Sequence, residues 1–278
     1  MSVIYAILET ILPFDFIKFN FMKNAMIAVL LITPLLGMLG TMAVNNKMAF
    51  FSDALGHSAL TGIALGVLLG IGNELISMIA FGIFMALIIT RVKSSKVASA
   101  DTVISVFSST AIALGLVILS FGGKFSSYSQ YLIGDILSIS PDELLLLLIC
   151  LVVVTAIWGL IFNKLLLVSI NEDLAASRGI KTMWIENIFV VLVAVVVMLS
   201  IKWVGILLIN SLLILPAAAA RNISKSSRQY TIFSVLIALI CGILGLIISF
   251  YINTSAGATI VLLCSAVFFI TYLFRRKK

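Results

Sequence analysis

The stretch FFSDALGHSALTGIALGVLLG, residues 50–70, is an apolar run that also holds an aspartate and the only histidine of the chain. A helix that crosses a bilayer needs about 20 mostly apolar residues. Ionisable side chains inside such a helix are costly, and they usually face a protein interior or a water-filled path. Asp53 and His57 are therefore the first candidates for a functional site.

Asp53 and His57 stand at positions i and i+4, so they share one face of a helix. Counted from Lys47 at about 1.5 Å per residue, His57 is expected close to the middle of an apolar core about 30 Å thick. A carboxylate beside an imidazole can bind a borderline divalent cation or relay protons. A histidine that only hydrogen-bonds a neighbouring helix is the simpler alternative.

A row of small residues runs beside this pair at every fourth position. It comprises Ala54, Ser58, Gly62, Gly66 and Gly70. Small residues at this spacing let another helix approach closely, so we expect a tightly packed inner helix with this row as its packing seam. Two metal ligands from one chain are few. A twofold homodimer would present two copies of each around one axis, which makes four.

The composition of the whole chain is that of a polytopic membrane protein. Of its 278 residues, 62% are hydrophobic and 10% are charged, whereas soluble domains are about a quarter charged. The mean hydropathy is +1.27. The net charge of +7 then reports orientation in the lipid bilayer, and no nucleic-acid partner is expected. The three cysteines lie in apolar runs, where we expect them to pack as small hydrophobic side chains.

Eight or nine apolar segments are long enough to be spans, which predicts an all-α membrane protein with one transmembrane domain over residues 1–278. The count is uncertain because segment 188–201 is short and Lys202 interrupts the run after it. Residues 1–20 are broken by Pro13 and Asp15, which favours an interfacial segment. The predicted spans are 24–44, 48–70, 75–92, 103–121, 144–162, 188–201, 203–220, 231–250 and 258–274.

The basic residues predict how these spans are oriented. If all nine cross and the C-terminal RRKK is cytoplasmic, only Lys18, Lys23, Lys124 and Lys202 of the eighteen Lys and Arg residues fall outside. Cytoplasmic loops carry an excess of Lys and Arg, so this division supports nine crossings with the N-terminus outside.

The predicted cytoplasmic loop over residues 163–187 contains NEDLAASRGIKTMWIEN, residues 171–187. Acidic residues favour the start of a helix, and glycine favours its end. The pattern predicts a short capped helix that suits docking to a partner, although an ordinary amphipathic loop helix has the same pattern. The residues concerned are Glu172, Asp173, Leu174, Arg178 and Gly179.

A late span, WVGILLINSLLILPAAAARNIS, carries polar residues and a proline at depth. Pro216 is expected to kink the helix or to end it. Asn210, Ser211 and Pro216 are candidates for lining a transport path, and helix packing explains them equally well.

Residues 122–127, GGKFSS, are not a phosphate-binding loop. Ile118 stands where the motif needs its first glycine, and Phe125 stands where it needs Ser or Thr. No other nucleotide site is found in the sequence, so ATP-driven transport would need a separate ATPase chain.

Four segments in order resemble the ABC-3 family, the permease subunits of ABC importers for zinc, manganese and iron(II). They are the opening stretch, GDILSIS at 134–140, EDLAASRGI at 172–180 and VGILLINSLLILPAAAAR at 204–221. The resemblance implies a type II-like importer permease fold, a homodimer in the bacterial plasma membrane, cytoplasmic ATPases that grip the coupling segment, and an extracytoplasmic metal-binding protein.

The resemblance also assigns the site. Asp53 and His57 match positions that line the translocation path and can contact the metal, which is transported and not held as a permanent cofactor. Thr61 stands where manganese-type members often have Pro, and this position favours zinc.

Two other functions are compatible with the residues alone. In a secondary transporter, Asp53 and His57 would relay protons. A permease for a metal chelate such as a siderophore or cobalamin would need a wide path without metal-ligating side chains. The coupling-type loop disfavours the first alternative, and the Asp–His pair disfavours the second.

Overall fold

The computed structural model describes Tyr5 and residues 18–95, 97–121, 125–128 and 130–274. These residues form helices without any strand, and nine of the helices are long and apolar enough to cross a membrane. The prediction of an all-α chain with eight or nine spans is confirmed. The nine are α1 (Asn20–Asn45), α2 (Phe51–Leu68), α3 (Glu74–Ser94), α4 (Ala100–Phe121), α5 (Pro141–Ile170), α6 (Thr182–Val204), α7 (Ile206–Ile223), α8 (Ser227–Ile252) and α9 (Ala256–Leu273).

Four short helical segments connect the long helices. Phe125–Tyr128, Gln130–Ile133 and Ile136–Ser138 lie between α4 and α5, and Glu172–Ser177 lies between α5 and α6. The predicted interfacial segment 1–20 lies outside the described residues apart from Tyr5 and 18–20, and so does the basic C-terminus 275–278.

Helices α1 and α2 form the centre of the bundle. Helix α2 packs against α3, α4, α6 and α7, and α1 packs against α5, α7 and α8. Glycines on α1 let its neighbours come close, since a Cβ on Gly37 would lie 3.0 Å from the Ser234 carbonyl oxygen, and one on Gly40 would overlap the Leu213 carbonyl. Lipid offers no hydrophobic gain for helix association, so close packing of this kind holds membrane helices together.

The break between α6 and α7 falls at Gly205. The sequence had suggested a break at Lys202. Gly205 has φ 89°, a backbone conformation that favours glycine, and it is the single residue between the two helices. Helix α6 begins at Thr182, before the predicted apolar span 188–201, and the Glu186 carboxylate in its first turns is paired with the Lys93 ammonium of α3. With 23 residues, α6 is long enough to cross.

The segment predicted as a cytoplasmic loop, residues 163–187, is largely helical. Helix α5 continues to Ile170, which leaves only residues 171–181 between it and α6. The apolar run after Lys164 keeps α5 helical, while Asn163 and Lys164 are exposed on its surface.

Helix α7 does not end at Pro216, one of the two outcomes predicted for that residue. It continues to Ile223, with Pro216 buried inside it. The small residues that follow, Ala217, Ala219 and Ala220, are fully buried, so packing supports the helix after the proline.

The segment GDILSIS is held against the α6–α7 corner and against α1. Gly134 has φ 69°, and a Cβ on it would lie 2.9 Å from the Gly205 Cα. The Asp135 N–H donates to the Lys202 carbonyl at 3.3 Å, and the Asn24 side chain donates to the Ile139 carbonyl at 3.2 Å. The segment therefore joins three parts of the chain at the end of the bundle where α3 and α5 begin.

Candidate functional site

Helix α2 is packed closely by its neighbours on three sides. A Cβ on Gly62 would lie 3.0 Å from the Met78 Cα, and one on Gly66 would lie 2.7 Å from the Ser77 Cβ, both on α3. A Cβ on Gly56 would lie 3.3 Å from Ile206 on α7. These contacts fix the rotation of α2 in the bundle.

The third contact is with α4. The Thr61 hydroxyl donates a hydrogen bond to the Ala111 carbonyl. A Cβ on Gly115, one turn further along α4, would lie 3.0 Å from the Thr61 backbone nitrogen. Thr61 is buried at this crossing, so its side chain sets the distance between α2 and α4.

The small-residue row divides into two parts. Ala54 and Ser58 are fully buried, and Gly62 and Gly66 meet α3. Gly70 was predicted to be part of the seam but does not belong to it. Helix α2 ends at Leu68, and Gly70 has φ 70° with open space around it. It is a turn glycine, and the four-residue rule stops applying where the helix ends.

The remaining face of α2 carries Asp53 and His57. The His57 Nε2 atom lies 3.7 Å from the Asp53 Oδ2 atom, and the side chains are 21% and 40% exposed respectively. The other imidazole nitrogen, Nδ1, is buried without a hydrogen-bond partner among the described residues. The pair therefore presents a carboxylate and an imidazole side by side on the face left open.

The pair lies nearer the start of α2 than the sequence count suggested. Asp53 is in the first turn, and His57 follows six residues after Phe51, which corresponds to about 9 Å along a helix of about 27 Å. His57 therefore lies in the first half of α2.

A cavity of about 640 Å³ opens between the start of α2 and the start of α4. Asp53 lines it from α2. Asp101, Ser105 and Ser108 line it from one face of α4. Polar side chains on one face of a membrane helix face protein or water and not lipid, so the Asp53 end of the site meets a hydrophilic surface. Sequence reasoning missed this α4 face, although the i, i+4, i+7 spacing of Asp101, Ser105 and Ser108 was a readable signal.

Within the described residues, no group of three or more His, Cys, Asp or Glu side chains is placed to hold a metal ion. Asp53 and His57 remain a two-ligand set, which is the number that the dimer hypothesis requires each copy to contribute.

Of the three path-lining candidates on α7, one contacts helix α2 next to Asp53 and two do not. Asn210 accepts a 2.6 Å hydrogen bond from the Ser52 hydroxyl, so it fastens α7 to the residue that precedes Asp53. Ser211 is half-buried and Pro216 is buried. No hydrogen bond among the described residues joins either of them to the Asp53–His57 pair.

The predicted short helix of the inner loop is present over Glu172–Ser177. The Asn171 side chain caps it by accepting a 2.9 Å hydrogen bond from the Leu174 N–H, and Gly179 follows it with φ 75°. Leu174 is 43% exposed at the surface of this helix. Beside it lies a cleft of about 250 Å³ that is lined by Glu172, Lys93 and Glu186 among others.

The sequence profile of the ABC 3 transport family matches residues 18–275. This chain belongs to the ABC 3 transport family. Members are transport subunits, so this ABC 3 protein is a membrane permease and not an enzyme.

Curated relatives of this ABC 3 permease come from both zinc and manganese systems. The high-affinity zinc uptake system membrane protein ZnuB of Haemophilus influenzae is 31% identical and aligns over 94% of this chain and 99% of its own length. The manganese import system permease protein ScaB of Streptococcus gordonii is 30% identical, over 94% and 93%.

A solved structure, PsaBC from Streptococcus pneumoniae in complex with Fab, has the same fold. It matches with a TM-score of 0.81 and 28% identity, and the match covers 98% of this chain and 95% of that one. The expectation of an ABC-3 permease fold is confirmed.

Proposed function

We propose that this chain is the permease of an ATP-driven importer that brings a divalent metal ion, zinc or manganese, into the bacterial cytoplasm. Membership of the ABC 3 family and the similarity to permeases of zinc and manganese systems support the reaction class. In this proposal the whole chain is one transmembrane domain with a cytoplasmic C-terminus.

The observation that carries the proposal is the Asp53–His57 pair. The pair lies on the one face of α2 that the bundle leaves open, and the buried His57 Nδ1 atom has no partner within the described chain. Carboxylate oxygen and imidazole nitrogen are suitable ligands for Zn²⁺ and acceptable ones for Mn²⁺. Two copies of the chain, related by a twofold axis, would present four such ligands to one ion in transit.

The partners follow from the two ends of the bundle. The capped helix Glu172–Ser177 with its exposed Leu174, followed by Arg178 and Gly179, is the proposed contact for cytoplasmic ATPase subunits. An extracytoplasmic binding protein would deliver the ion to the opposite end. ATP hydrolysis belongs to the separate ATPase chains in this scheme.

Zinc is the favoured ion because of Thr61. Thr61 stands where manganese-type members of the family often have proline, and in this chain its hydroxyl donates to the Ala111 carbonyl of α4. The relatives do not separate the two metals, since ZnuB and ScaB are 31% and 30% identical to this chain.

The test is uptake of radioactive zinc and of radioactive manganese by cells in which this chain is the only high-affinity importer permease. We expect Asp53→Asn and His57→Gln each to lower uptake at least tenfold with the protein still present in the membrane. Asp142→Asn, which changes an exposed carboxylate at the start of α5, is the matched control and should leave uptake unchanged.

Unchanged uptake in both site variants would remove the pair from the transport path. Uptake that persists with an inactive ATPase and follows the proton gradient would instead identify a secondary transporter. Uptake of a siderophore or cobalamin with no uptake of the free ion would identify a chelate permease.

A further inference from the structure

The exposed face of α4 changes from polar to apolar halfway along the helix. The exposed residues of the first half are Asp101, Thr102, Ser105, Val106, Ser109 and Thr110. The exposed residues of the second half are Ala113, Leu114, Leu116, Val117, Ser120 and Phe121. Carboxylate and hydroxyl groups on a membrane helix face protein or water and not lipid, so the first half of this face borders a hydrophilic space.

The register between α2 and α4 fixes the level of each polar group. Short connections make α3 antiparallel to both of its neighbours in sequence, so α2 and α4 run in the same direction. The Thr61 hydroxyl of α2 donates to the Ala111 carbonyl, and a Cβ on Gly115 would lie 3.0 Å from the Thr61 backbone nitrogen. Thr61 is therefore level with the turn of α4 between Ala111 and Gly115.

Carried back along both helices, this register gives an ordered series of possible ligands. Asp53 is level with Ser105, and His57 is level with Ser109. Asp101 lies one turn, about 6 Å, nearer the helix starts than Asp53. Asp53, Asp101, Ser105 and Ser109 all line the cavity of about 640 Å³ between the two helices. A cation that leaves the Asp53–His57 pair toward the helix starts therefore passes Asp101.

The charge of this cavity suits a cation. Asp53 and Asp101 line it, and none of the described residues that line it is Lys or Arg. By contrast, Lys202 lines a cavity where α3 and α5 begin, and Lys93 lines the cleft beside the helix Glu172–Ser177. A cleft whose charges have one sign concentrates ions of the opposite sign.

The size of the cavity suits a hydrated ion. A divalent cation with six waters occupies roughly 200 Å³ at about 30 Å³ per water, and the cavity holds about 640 Å³. The favourable position of Asp101 in the first turn of α4, at the positive end of the helix dipole, explains one carboxylate. It does not explain the hydroxyls of Ser105 and Ser109, which follow on the same face one and two turns later.

We propose that the first half of α4 forms the wall of a water-filled exit vestibule, and that Asp101 is the carboxylate that receives the metal ion from the Asp53–His57 pair. The inference rests on the proposed importer function and adds to it an exit route with its own residue. In the proposed orientation, the starts of α2 and α4 face the cytoplasm. One carboxylate among hydroxyls holds a divalent ion less tightly than a carboxylate with an imidazole, so the step toward Asp101 favours release.

The first experiment measures access of water to the α4 face in inside-out membrane vesicles that contain the complete permease–ATPase complex. Ser105→Cys should react with a cationic, water-soluble methanethiosulfonate at least tenfold faster than Val153→Cys. Val153 is the matched control because it is 48% exposed in the middle of α5, on a face with apolar neighbours. The unmodified chain is the blank, since Cys150, Cys241 and Cys264 are buried.

The second experiment tests the charge of Asp101 in the path. In the Ser105→Cys background, Asp101→Asn should lower the ratio of the reaction rates with the cationic and the anionic reagent at least threefold, because the carboxylate attracts cations. Asp142→Asn, which changes an exposed carboxylate at the start of α5, should leave this ratio unchanged.

Metal uptake by whole cells tests the role of Asp101 in release. In the otherwise unmodified chain, Asp101→Asn should lower the maximal rate of zinc or manganese uptake three- to tenfold and leave the half-saturating metal concentration unchanged, because the Asp53–His57 pair still takes up the ion. Asp101→Glu should keep at least half of the rate. Full uptake by Asp101→Asn would overturn the release role.

Two results would overturn the vestibule. If Ser105→Cys reacts no faster than Val153→Cys, the α4 face meets lipid. If Ser105→Cys reacts with neither reagent and cross-links to its counterpart in a second copy on oxidation, the face is a dry dimer contact. Either result, with normal import by the wild-type complex and loss of import in Asp53→Asn, leaves the importer function intact. Absence of metal import by the wild-type complex would overturn the importer function itself, and the exit role with it.

Discussion

Some residues of α2 pack against neighbouring helices, and others lie on the face that no neighbouring helix covers. Gly62 and Gly66 allow α3 to approach, and Thr61 bonds to α4. Because these contacts occupy the other faces, Asp53 and His57 are directed to the fourth. The orientation of the Asp53–His57 pair is thus set by the packing of its apolar and small neighbours, since within the described chain its side chains approach only each other, at 3.7 Å.

Gly66→Ala should destabilise the protein, because the added methyl would lie 2.7 Å from the Ser77 Cβ of α3. Overpacking of this kind costs about 1–3 kcal/mol. The measurement is the thermal unfolding midpoint in detergent. Gly159→Ala on α5 is the control: a Cβ there meets nothing within 4 Å, and alanine favours the helix, so its midpoint should be equal or higher. Equal unfolding midpoints for both variants would show that α3 does not pack closely against Gly66.

Among the elements, α3 and α6 are held together at one end by an ion pair. The Lys93 ammonium pairs with the Glu186 carboxylate, with side chains 18% and 14% exposed, and Lys93 also contacts the Met48 sulfur at 3.5 Å. The pair lines the cleft beside the helix Glu172–Ser177. It therefore connects the proposed ATPase contact to α3, the helix that seats on α2.

Lys93→Ala should destabilise the protein by about 2 kcal/mol, because it leaves the Glu186 carboxylate buried without a partner. Chemical or thermal unfolding of the purified permease measures the loss. The exchange Lys93→Glu with Glu186→Lys should recover part of it. Lys202→Ala is the comparison, since Lys202 is 49% exposed and exposed pairs contribute under about 1 kcal/mol. A Lys93 variant as stable as the Lys202 variant would contradict a structural role for the pair.

At the scale of the whole molecule, two polar cavities lie in different parts of the bundle. The Asp53–His57 pair and the α4 face lie where α2 and α4 begin, and a cavity lined by Glu74 and Trp203 lies where α3 and α5 begin. In the proposed function, the Asp53–His57 pair is completed by a second copy of the chain. A single chain is therefore expected to have neither metal affinity nor transport activity.

The orientation of the bundle can be tested with single cysteines. Asp142→Cys at the start of α5 should react with a membrane-impermeant maleimide on intact cells, and Ser177→Cys at the end of the short helix should react only after lysis. The unmodified chain is the blank, because Cys150, Cys241 and Cys264 are all buried. The reverse pattern would show that the bundle has the opposite orientation in the membrane.

The sequence by itself determined the all-helical membrane fold, a count of eight or nine spans, the shared face of Asp53 and His57 and the short helix after Asn171. These features depend on local hydropathy, on the 3.6-residue repeat and on capping, all of which are properties of neighbouring residues. The sequence did not predict the boundary between α6 and α7 correctly. That boundary depends on the positive φ of Gly205 and on its contact with Gly134.

Only the tertiary structure decided which polar groups meet. Asp101 and Asp53 line one cavity, Asn210 accepts a hydrogen bond from the Ser52 hydroxyl, and Glu74 and Trp203 line another cavity. Each of these pairings joins segments tens of residues apart or more. Such contacts follow from how whole helices rotate and pack, which the spacing of residues along one helix does not specify.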